Sequence, residues 1–416
     1  MPCIALPRPV RLFWICSAFL VILCIGFELF CHFGLHKHYP YDWPLIPFYR
    51  FNDFMCFKLR FQHFHRLDVF SPDLSVRFMY PAPVSLLYEG FYMLGTHSLI
   101  KFLVLTAGLV LVLAVSFGRA MVHEGIRPWI AATFVGSSIL LSYPLWFEYS
   151  LGNMEICIFL IVASGLLAFL HRWYYLAAFL IGVAVSMKIF PLVYLALFFS
   201  CKRYREMAFA VLVALSLNLV SLWLLCPSLS VSYRGIEDGL AAFRRGYMLR
   251  ILPVETGFDH SAFALIKSLG RGVWTHSYVP SRILTAYLIV AVLAGLALYF
   301  IRIRKLPMLN QIVCLSIASI LLPPTSHDYT LLHLYVPLGL LILYTIRRSK
   351  SGPAESLVAP MVCFAILVSP ESELVYHVGI SGQLKAVTLI VLLWIALTQR
   401  WEERGWQAAP APLLAS

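Results

Sequence analysis

Apolar segments that approach the length of a membrane-crossing helix recur along the whole chain, and this repetition constrains the fold most. A helix needs about 20 apolar residues to span the hydrocarbon of a bilayer, and backbone groups in lipid must pair within the segment. The pattern predicts an all-α polytopic membrane protein with about 12 transmembrane helices. The windows lie at 10–33, 81–95, 99–118, 129–147, 154–170, 173–200, 206–227, 281–301, 307–322, 329–346, 355–369 and 383–399.

The charge content supports this class and excludes others. Only 12% of the 416 residues are charged, about half the ~25% of soluble domains. A soluble globular protein, a disordered chain and a nucleic-acid binder are therefore excluded. The net charge of +12 comes from basic residues in the loops, as the positive-inside rule predicts.

The basic loops orient the predicted helices. Loops 202–205, 302–305 and 347–350 carry three basic residues each, which predicts a cytoplasmic position for them and for both termini. The long loops 34–80 and 228–281 then lie outside. Residues 1–400 are predicted to form one membrane domain, and the Ala/Pro-rich tail 401–416 is predicted to be disordered.

One loop conflicts with strict alternation of the spans. Arg119, His123 and Arg127 indicate a cytoplasmic loop, whereas counting spans puts them outside. The conflict disappears if 81–95 is a short re-entrant segment and 173–200 breaks near Pro191.

Ionisable and amide side chains within or beside apolar spans are costly, so each is a candidate functional residue. They fall in segments that are far apart in sequence. The set is Glu28, Asp53, Glu89, Glu148, Asn153, Glu155, Lys188, Asn218, His327 and Asp328.

Asp53 and Lys188 have the most unusual surroundings. Asp53 follows the first span between aromatic residues, where desolvation raises a carboxyl pKa toward that of a general base; the alternative is a helix N-cap or a partner for Arg50. Lys188 stands in an apolar stretch just before Pro191. It either extends to the membrane interface or binds an anion.

The other candidates have structural explanations as well as functional ones. The segment at Tyr80 begins a helix with prolines, and Asn153 and Glu155 are at the mouth of another, where they either cap it or line a site. His327 and Asp328 follow two prolines, where Asp328 either caps a turn or faces a site.

The first outside loop interleaves aromatic and basic residues, which predicts an amphipathic helix on the membrane surface. Its histidines, such as His63 and His65, either bind a metal or are scattered surface residues. A protein built for zinc or copper handling would need histidine pairs within spans, and these are missing. The ten cysteines show neither zinc-binding spacing nor a disulfide pattern.

A base, a cation and a histidine together suit group transfer from a phosphate to a hydroxyl. Asp53, Lys188 and His327 supply these three groups from separate segments, and Asp53 and His327 are predicted at the outer face. The cation and the histidine would stabilise the departing phosphate. No phosphate-binding glycine loop of a nucleotide-binding fold occurs in the sequence.

The order of the motifs resembles the GT-C polytopic glycosyltransferases, closest to the polyprenyl-phosphate-mannose-dependent family 87. The similarity covers about residues 10–345. It also extends to the mannosyltransferases of glycosylphosphatidylinositol anchors. The matching segments are Asn52-Asp53-Phe54, Phe78 to Pro83, Gly152 to Glu155, Ala184 to Pro191 and Leu321 to Asp328.

The resemblance implies an inverting hexosyltransferase, most commonly for mannose, that acts at the extracytoplasmic face on a lipid or glycan acceptor. It implies Asp53 as the base, Lys188 and His327 at the donor phosphate, and Asn153, Glu155, Tyr80 and Asp328 lining the cavity. Contacts to the acceptor or a lipid head group are assigned to Arg244, Arg245 and Arg250.

The same resemblance bears on cofactors and location. Because the donor is already a lipid monophosphate sugar, no cofactor and no obligatory metal are expected. The expected partners are membrane lipids, the donor and the acceptor, with no nucleic acid. The compact loops favour a bacterial plasma membrane.

The main alternative is a transporter or flippase for a lipid-linked or anionic solute, with Lys188 and Glu155 as pathway charges. Such a protein usually has two related halves, and none is evident in the sequence.

Overall fold

Helices build the part of the chain that the structure describes, as the apolar windows predict. The computed structural model describes residues 5–36, 51, 53–55, 80–225, 228–251, 259–270, 278–370 and 381–401, with the side chains of Glu28 and Ser381 left out. Within these ranges there is no β-strand, and an isolated bridge joins Arg250 to Tyr278. The histidine-rich part of the first loop and the tail from 402 lie outside the described residues.

The α-helices are numbered in chain order. The first eight are α1 (Arg8–Leu29), α2 (Ala82–Tyr92), α3 (Ser98–His123), α4 (Pro128–Leu140), α5 (Tyr143–Leu151), α6 (Glu155–Leu170), α7 (Tyr174–Met187) and α8 (Leu195–Ser200). The others are α9 (Tyr204–Leu225), α10 (Leu229–Phe243), α11 (Ala262–Leu269), α12 (Ser281–Ile301), α13 (Met308–Leu321), α14 (Tyr335–Ser351), α15 (Val358–Val368) and α16 (Ser381–Thr398).

Five of the described helical segments are long and apolar enough to span a membrane. They are Arg8–Gly34, Ser98–His123, Tyr204–Leu225, Ser281–Lys305 and Asp328–Ser351. The pair α4 and α5, bent by 49°, makes a sixth if it is one broken span. The predicted count of about 12 is therefore not confirmed, because the remaining apolar helices have 10–17 residues.

The short apolar helices lie at the centre of the fold. Most residues of α6 and nearly all residues of α13 are buried, and α7 packs between α6 and α9. The long segments α3, α9 and α12 instead expose many large apolar side chains. An exposed apolar surface of this extent suits contact with lipid.

The two ends of the bundle differ in chemistry. At one end, which we call the basic end, Arg8 lies 3.1 Å from Glu355 and Glu124 binds both Arg347 (2.8 Å) and Lys350 (2.9 Å). The buried polar residues near Asp328 lie at the other end of the helical segment Asp328–Ser351, which we call the site end.

The structure resolves the conflict in the predicted topology. The loop with Arg119, His123 and Arg127 lies beside the basic loop 347–350, because Glu124 binds that loop. Strict alternation, which placed it opposite, was wrong. The 81–95 window accounts for the error, because its helix α2 has 11 residues and is not among the apolar helices of the described chain. The predicted break near Pro191 is confirmed, since α7 ends at Met187 and a 3-10 segment begins at Phe190.

Gly182 sets the approach of α7 to α9. A Cβ atom at this position would lie 2.5 Å from the Ala210 carbonyl oxygen and 2.9 Å from the Val213 Cβ. Backbone cannot move aside as a flexible side chain can, so the helices would have to separate.

We therefore expect Gly182→Ala to destabilise the fold by about 1–3 kcal/mol, the cost of overpacking a core. Thermal unfolding in detergent measures this change. The matched control is Gly136→Ala on α4, where a Cβ meets no atom within 4 Å. Equal melting temperatures for the two variants would contradict the close packing of α7 on α9.

Candidate active site

The segment that carries Asp53 is fixed by its neighbours. The Phe51 N–H donates to the Ser150 carbonyl (2.7 Å) and the Tyr92 hydroxyl donates to the Phe54 carbonyl (2.5 Å). The Phe54 ring is fully buried and packs against Tyr88, Tyr92 and Phe102. Asp53, between these two anchors, is held half-buried at the site end.

Gly152 lets the end of α5 approach this segment. It has φ +64°, a left-handed conformation that favours glycine. A Cβ here would lie 3.0 Å from the Phe54 Cβ and 3.5 Å from the Phe51 Cβ. The glycine before Asn153 is therefore required both by backbone conformation and by contact with the residues that flank Asp53.

Asn153 connects three of the predicted site residues. Its side-chain amide donates to the Asp53 carboxylate at 2.6 Å and lies 2.9 Å from the Tyr80 hydroxyl. Its carbonyl oxygen accepts the Glu155 backbone N–H at 2.9 Å. This last bond satisfies one of the free N–H groups at the start of α6, so the residue caps a helix and orients Asp53 at once.

Lys188 and Glu155 form a partly buried ion pair next to this amide. The Lys188 ammonium lies 2.5 Å from one oxygen of Glu155, and the imidazole of His333 lies 2.9 Å from the other. The Glu155 and His333 side chains are buried, whereas Lys188 is 29% exposed. An ammonium with three donors can bind Glu155 and still present a donor to a ligand.

Aromatic rings surround the Lys188 ammonium. It lies 5.2 Å from the ring centroids of both Phe190 and Tyr329. The Tyr329 ring stacks on Phe147 at 6.4 Å and lies 5.7 Å from the His327 ring. His327 thus adjoins Lys188 through Tyr329, and burial lowers its pKa, which favours the neutral imidazole.

Asp328 belongs to a separate group of buried charges. One of its oxygens lies 3.0 Å from the His260 imidazole and 2.9 Å from the Lys385 ammonium, and all three side chains are buried. In the same region Asp259 pairs with Lys267 at 3.3 Å. These contacts tie residues 259–270 and α16 to the turn before α14, so Asp328 lies in the protein interior rather than on an open cavity wall.

The three predicted arginines are exposed and make no described hydrogen bond or ion pair with Asp53 or Lys188. Arg244 and Arg245 are exposed on the π-helical segment Arg244–Met248, and Arg250 is exposed where it pairs with Tyr278. Among the described contacts none joins them to the other site residues.

The sequence interpretation missed His333 and gave Glu148 no role. His333 is a single histidine in an apolar run, and its pairing with Glu155 depends on the tertiary fold. Glu148 is buried, and one of its oxygens accepts the Ile156 N–H at 2.9 Å. Its other oxygen has no hydrogen-bond partner among the described residues.

A metal-binding group does not occur in the described part of the chain: no three His, Cys, Asp or Glu side chains are clustered suitably. His63 and His65 lie outside the described residues.

Asp53 has the electrostatics of a base. Burial raises the pKa of its carboxyl to about 6, and the hydrogen bond from Asn153 opposes part of that rise. A carboxylate with this pKa accepts a proton more readily than an exposed aspartate and is still ionised near neutral pH.

Asp53, Asn153, Glu155 and Lys188 therefore form one continuous polar chain at the end of a polytopic helical bundle, an arrangement typical of a membrane enzyme for group transfer. The sequence model of glycosyltransferase family 87 matches residues 78–324, more than half of the chain. The chain belongs to glycosyltransferase family 87. No curated protein and no solved structure matches it.

Proposed function

We propose that the protein transfers a hexose, mannose being the first candidate, from a polyprenyl-phosphate sugar to a lipid or glycan acceptor, with inversion at the anomeric carbon. The observation that supports this proposal most strongly is the series of hydrogen bonds that links Asp53 through Asn153 and Glu155 to Lys188. This series connects a base to a cation, and displacement of a phosphate by a hydroxyl requires both groups.

Asp53 is the proposed base in this reaction. It takes the proton of the acceptor hydroxyl as the acceptor oxygen forms a bond to the anomeric carbon. The bond from that carbon to the phosphate oxygen breaks on the opposite face, and the electron pair leaves with the phosphate. Attack from the face opposite to the leaving group inverts the configuration.

Lys188 is the proposed contact for the donor phosphate, and His327 the proposed second contact. Lys188 is partly exposed and keeps donors beyond the one on Glu155. His327 lies beside the Tyr329 ring that also adjoins Lys188. We assign Glu155 and His333 to holding Lys188, and Asn153 and Tyr80 to positioning Asp53. Asp328 supports the turn that carries His327.

The leaving group is a lipid monophosphate, so a lysine and a histidine can stabilise its charge and the reaction requires no cofactor. Exposed Arg244, Arg245 and Arg250 are proposed contacts for an acceptor or for lipid head groups at the membrane surface.

We also propose that the shorter apolar helices cross the membrane. With α2, α10 and α11 left out and the bent pair α4 and α5 counted as one span, the remaining helical segments run alternately between the basic end and the site end, which amounts to about 12 passes. The positive-inside rule then puts the basic end in the cytoplasm and the site outside, in keeping with a bacterial plasma membrane.

The proposal is tested with the purified full chain in nanodiscs, a membrane lipid extract as acceptor source, and radiolabelled polyprenyl-phosphate mannose. We expect label in a new lipid or glycan, and none when GDP-mannose is the donor. Absence of both transfer and saturable donor binding would contradict the proposal. It would favour a transporter, which a flipping assay in proteoliposomes detects.

The pH dependence follows from the pKa of Asp53. Only its ionised form accepts the proton, so transfer should fall as the pH drops through about 6. The amide of Asn153 lowers that pKa, so we expect Asn153→Ala to move the acid limb of the rate profile to higher pH.

Asn218→Ala serves as the control, because the Asn218 amide donates to the Ala214 carbonyl on α9 (2.9 Å) and to the Ser186 carbonyl on α7 (3.4 Å) rather than to Asp53. Its acid limb should match that of the wild type. An Asn153→Ala profile with an unmoved or lower acid limb would contradict the assignment.

A further inference from the structure

A large cavity lies within the bundle, apart from the polar chain at the site end. Its volume is about 1650 Å³, well above the ~300–1,000 Å³ of sites for small ligands. Its walls are mainly aliphatic and aromatic and come from α1, α3, α4, α6, α7, α13 and α14. Phe13, Leu113, Phe134, Phe159 and Leu340 are typical of this lining.

The cavity extends to the apolar outer surface of the helical bundle. Two lining residues, Val112 on α3 and Leu176 on α7, are 60% and 46% exposed. Ser164, another lining residue, is exposed although it belongs to the buried helix α6. Hydrocarbon chains can therefore pass into the cavity from the side.

Polar side chains are a minority of the lining. The hydroxyls of Ser17 and Ser138 and the side-chain carbonyl of Gln311 have no hydrogen-bond partner among the described residues, but these three atoms are buried in the protein. Because they have almost no accessible surface, the wall that a ligand meets between the two ends of the cavity is mainly apolar.

Positive charge gathers where the cavity reaches the basic end. Arg172, Arg347 and Arg348 contribute to the lining there. Arg347 binds Glu124, whereas Arg348 is exposed and its side chain makes no ion pair with another described side chain. Arginine pairs readily with phosphate oxygens, so the charge complements an anionic head group.

We propose that this cavity binds an anionic phospholipid, with the phosphate at Arg348 and the chains between α3, α6 and α7. The binding site is distinct from the donor site proposed above, because Lys188 lies at the opposite end of the bundle. The lining reaches Leu332, the neighbour of His333. The bound chains thus pack beneath the residues that hold Glu155.

Native mass spectrometry of the full chain in detergent tests this site. Phosphatidylglycerol and phosphatidylcholine with the same chains are added in equal amounts, and the lipid retained per protein is measured. We expect a preference of about fivefold for phosphatidylglycerol, the effect of one basic side chain near an anionic lipid. Excess inorganic phosphate should leave the retained lipid unchanged.

Two variants address the two parts of the site. Ser164→Trp fills the cavity and should remove most of the retained lipid, whereas Ser216→Trp adds the same ring on the exposed face of α9 and should not. Arg348→Gln should make retention of the two lipids equal, and Arg11→Gln, which removes an exposed charge near the same end, should leave the preference intact.

Equal retention of the two lipids by the wild type would overturn the proposal, as would an unchanged preference in Arg348→Gln or displacement by phosphate. Thermal unfolding of each variant shows whether it is folded. If Ser164→Trp does not fold, Arg348→Gln decides the matter alone, because its side chain is exposed. None of these measurements depends on transfer activity.

Discussion

Replacing Asp53 with Asn should reduce sugar transfer by about 10²–10⁴-fold, the usual contribution of a general base. The amide has the shape of the carboxylate and can still meet the Asn153 side chain, which lies 2.6 Å away in the wild type. The amide cannot take up the proton of the substrate hydroxyl at neutral pH. Turnover of a saturating donor by the purified variant measures the loss.

Asp238→Asn is the matched control for this substitution. Asp238 is exposed on α10, so the same chemical change there should leave turnover within about twofold of the wild type. Because Asp53 is only half-buried, the melting temperature of Asp53→Asn should stay close to that of the wild type. Normal turnover in a folded Asp53→Asn protein would remove Asp53 from the role of base.

The grouping of Asp53, Asn153, Glu155 and Lys188 could be anticipated from sequence, for a physical reason. Polar side chains in an apolar setting are costly unless they pair, so isolated ones in separate segments must meet. The sequence does not reveal which partners they choose. The contacts from Glu155 to Lys188 and His333 join residues 33 and 178 positions apart, and no local pattern encodes such distances.

Asp328 shows the limit of the same reasoning. Its position in a proline-rich turn at the site end was consistent with a cavity wall. Burial beside His260 and Lys385 became apparent only with the tertiary structure, since neither partner stood out among the polar residues of its own segment.

A different ambiguity limited the prediction of the membrane topology from sequence. Hydropathy measures how apolar a segment is, but it does not distinguish a short helix inside a bundle from one that crosses the membrane. The 81–95 window is therefore ambiguous. An error of one in the number of spans reverses the predicted side of the membrane for every following loop, until a second error restores it. The contacts of Glu124 with Arg347 and Lys350 fix which loops share an end.

Lys188→Met should raise the donor KM by about 10–100-fold while turnover at saturating donor changes less. A hydrogen bond to a charged group contributes about 1.5–3 kcal/mol, and each 1.4 kcal/mol is a factor of ten in affinity. The phosphate is charged both before and after transfer, so much of the interaction is uniform binding, which appears in KM. Methionine keeps the length of the side chain between Phe190 and Tyr329.

Lys202→Met is the control, because Lys202 is exposed in the loop between α8 and α9 and its removal should not affect the donor KM. Loss of Lys188 also removes the lysine partner of the buried Glu155 and leaves its hydrogen bond with His333, so Lys188→Arg is needed to separate charge from packing. Arginine keeps the positive charge and should recover most of the donor affinity. A donor KM that is unchanged in a folded Lys188→Met protein would show that the phosphate binds elsewhere, and the ion pair with Glu155 would then serve the fold alone.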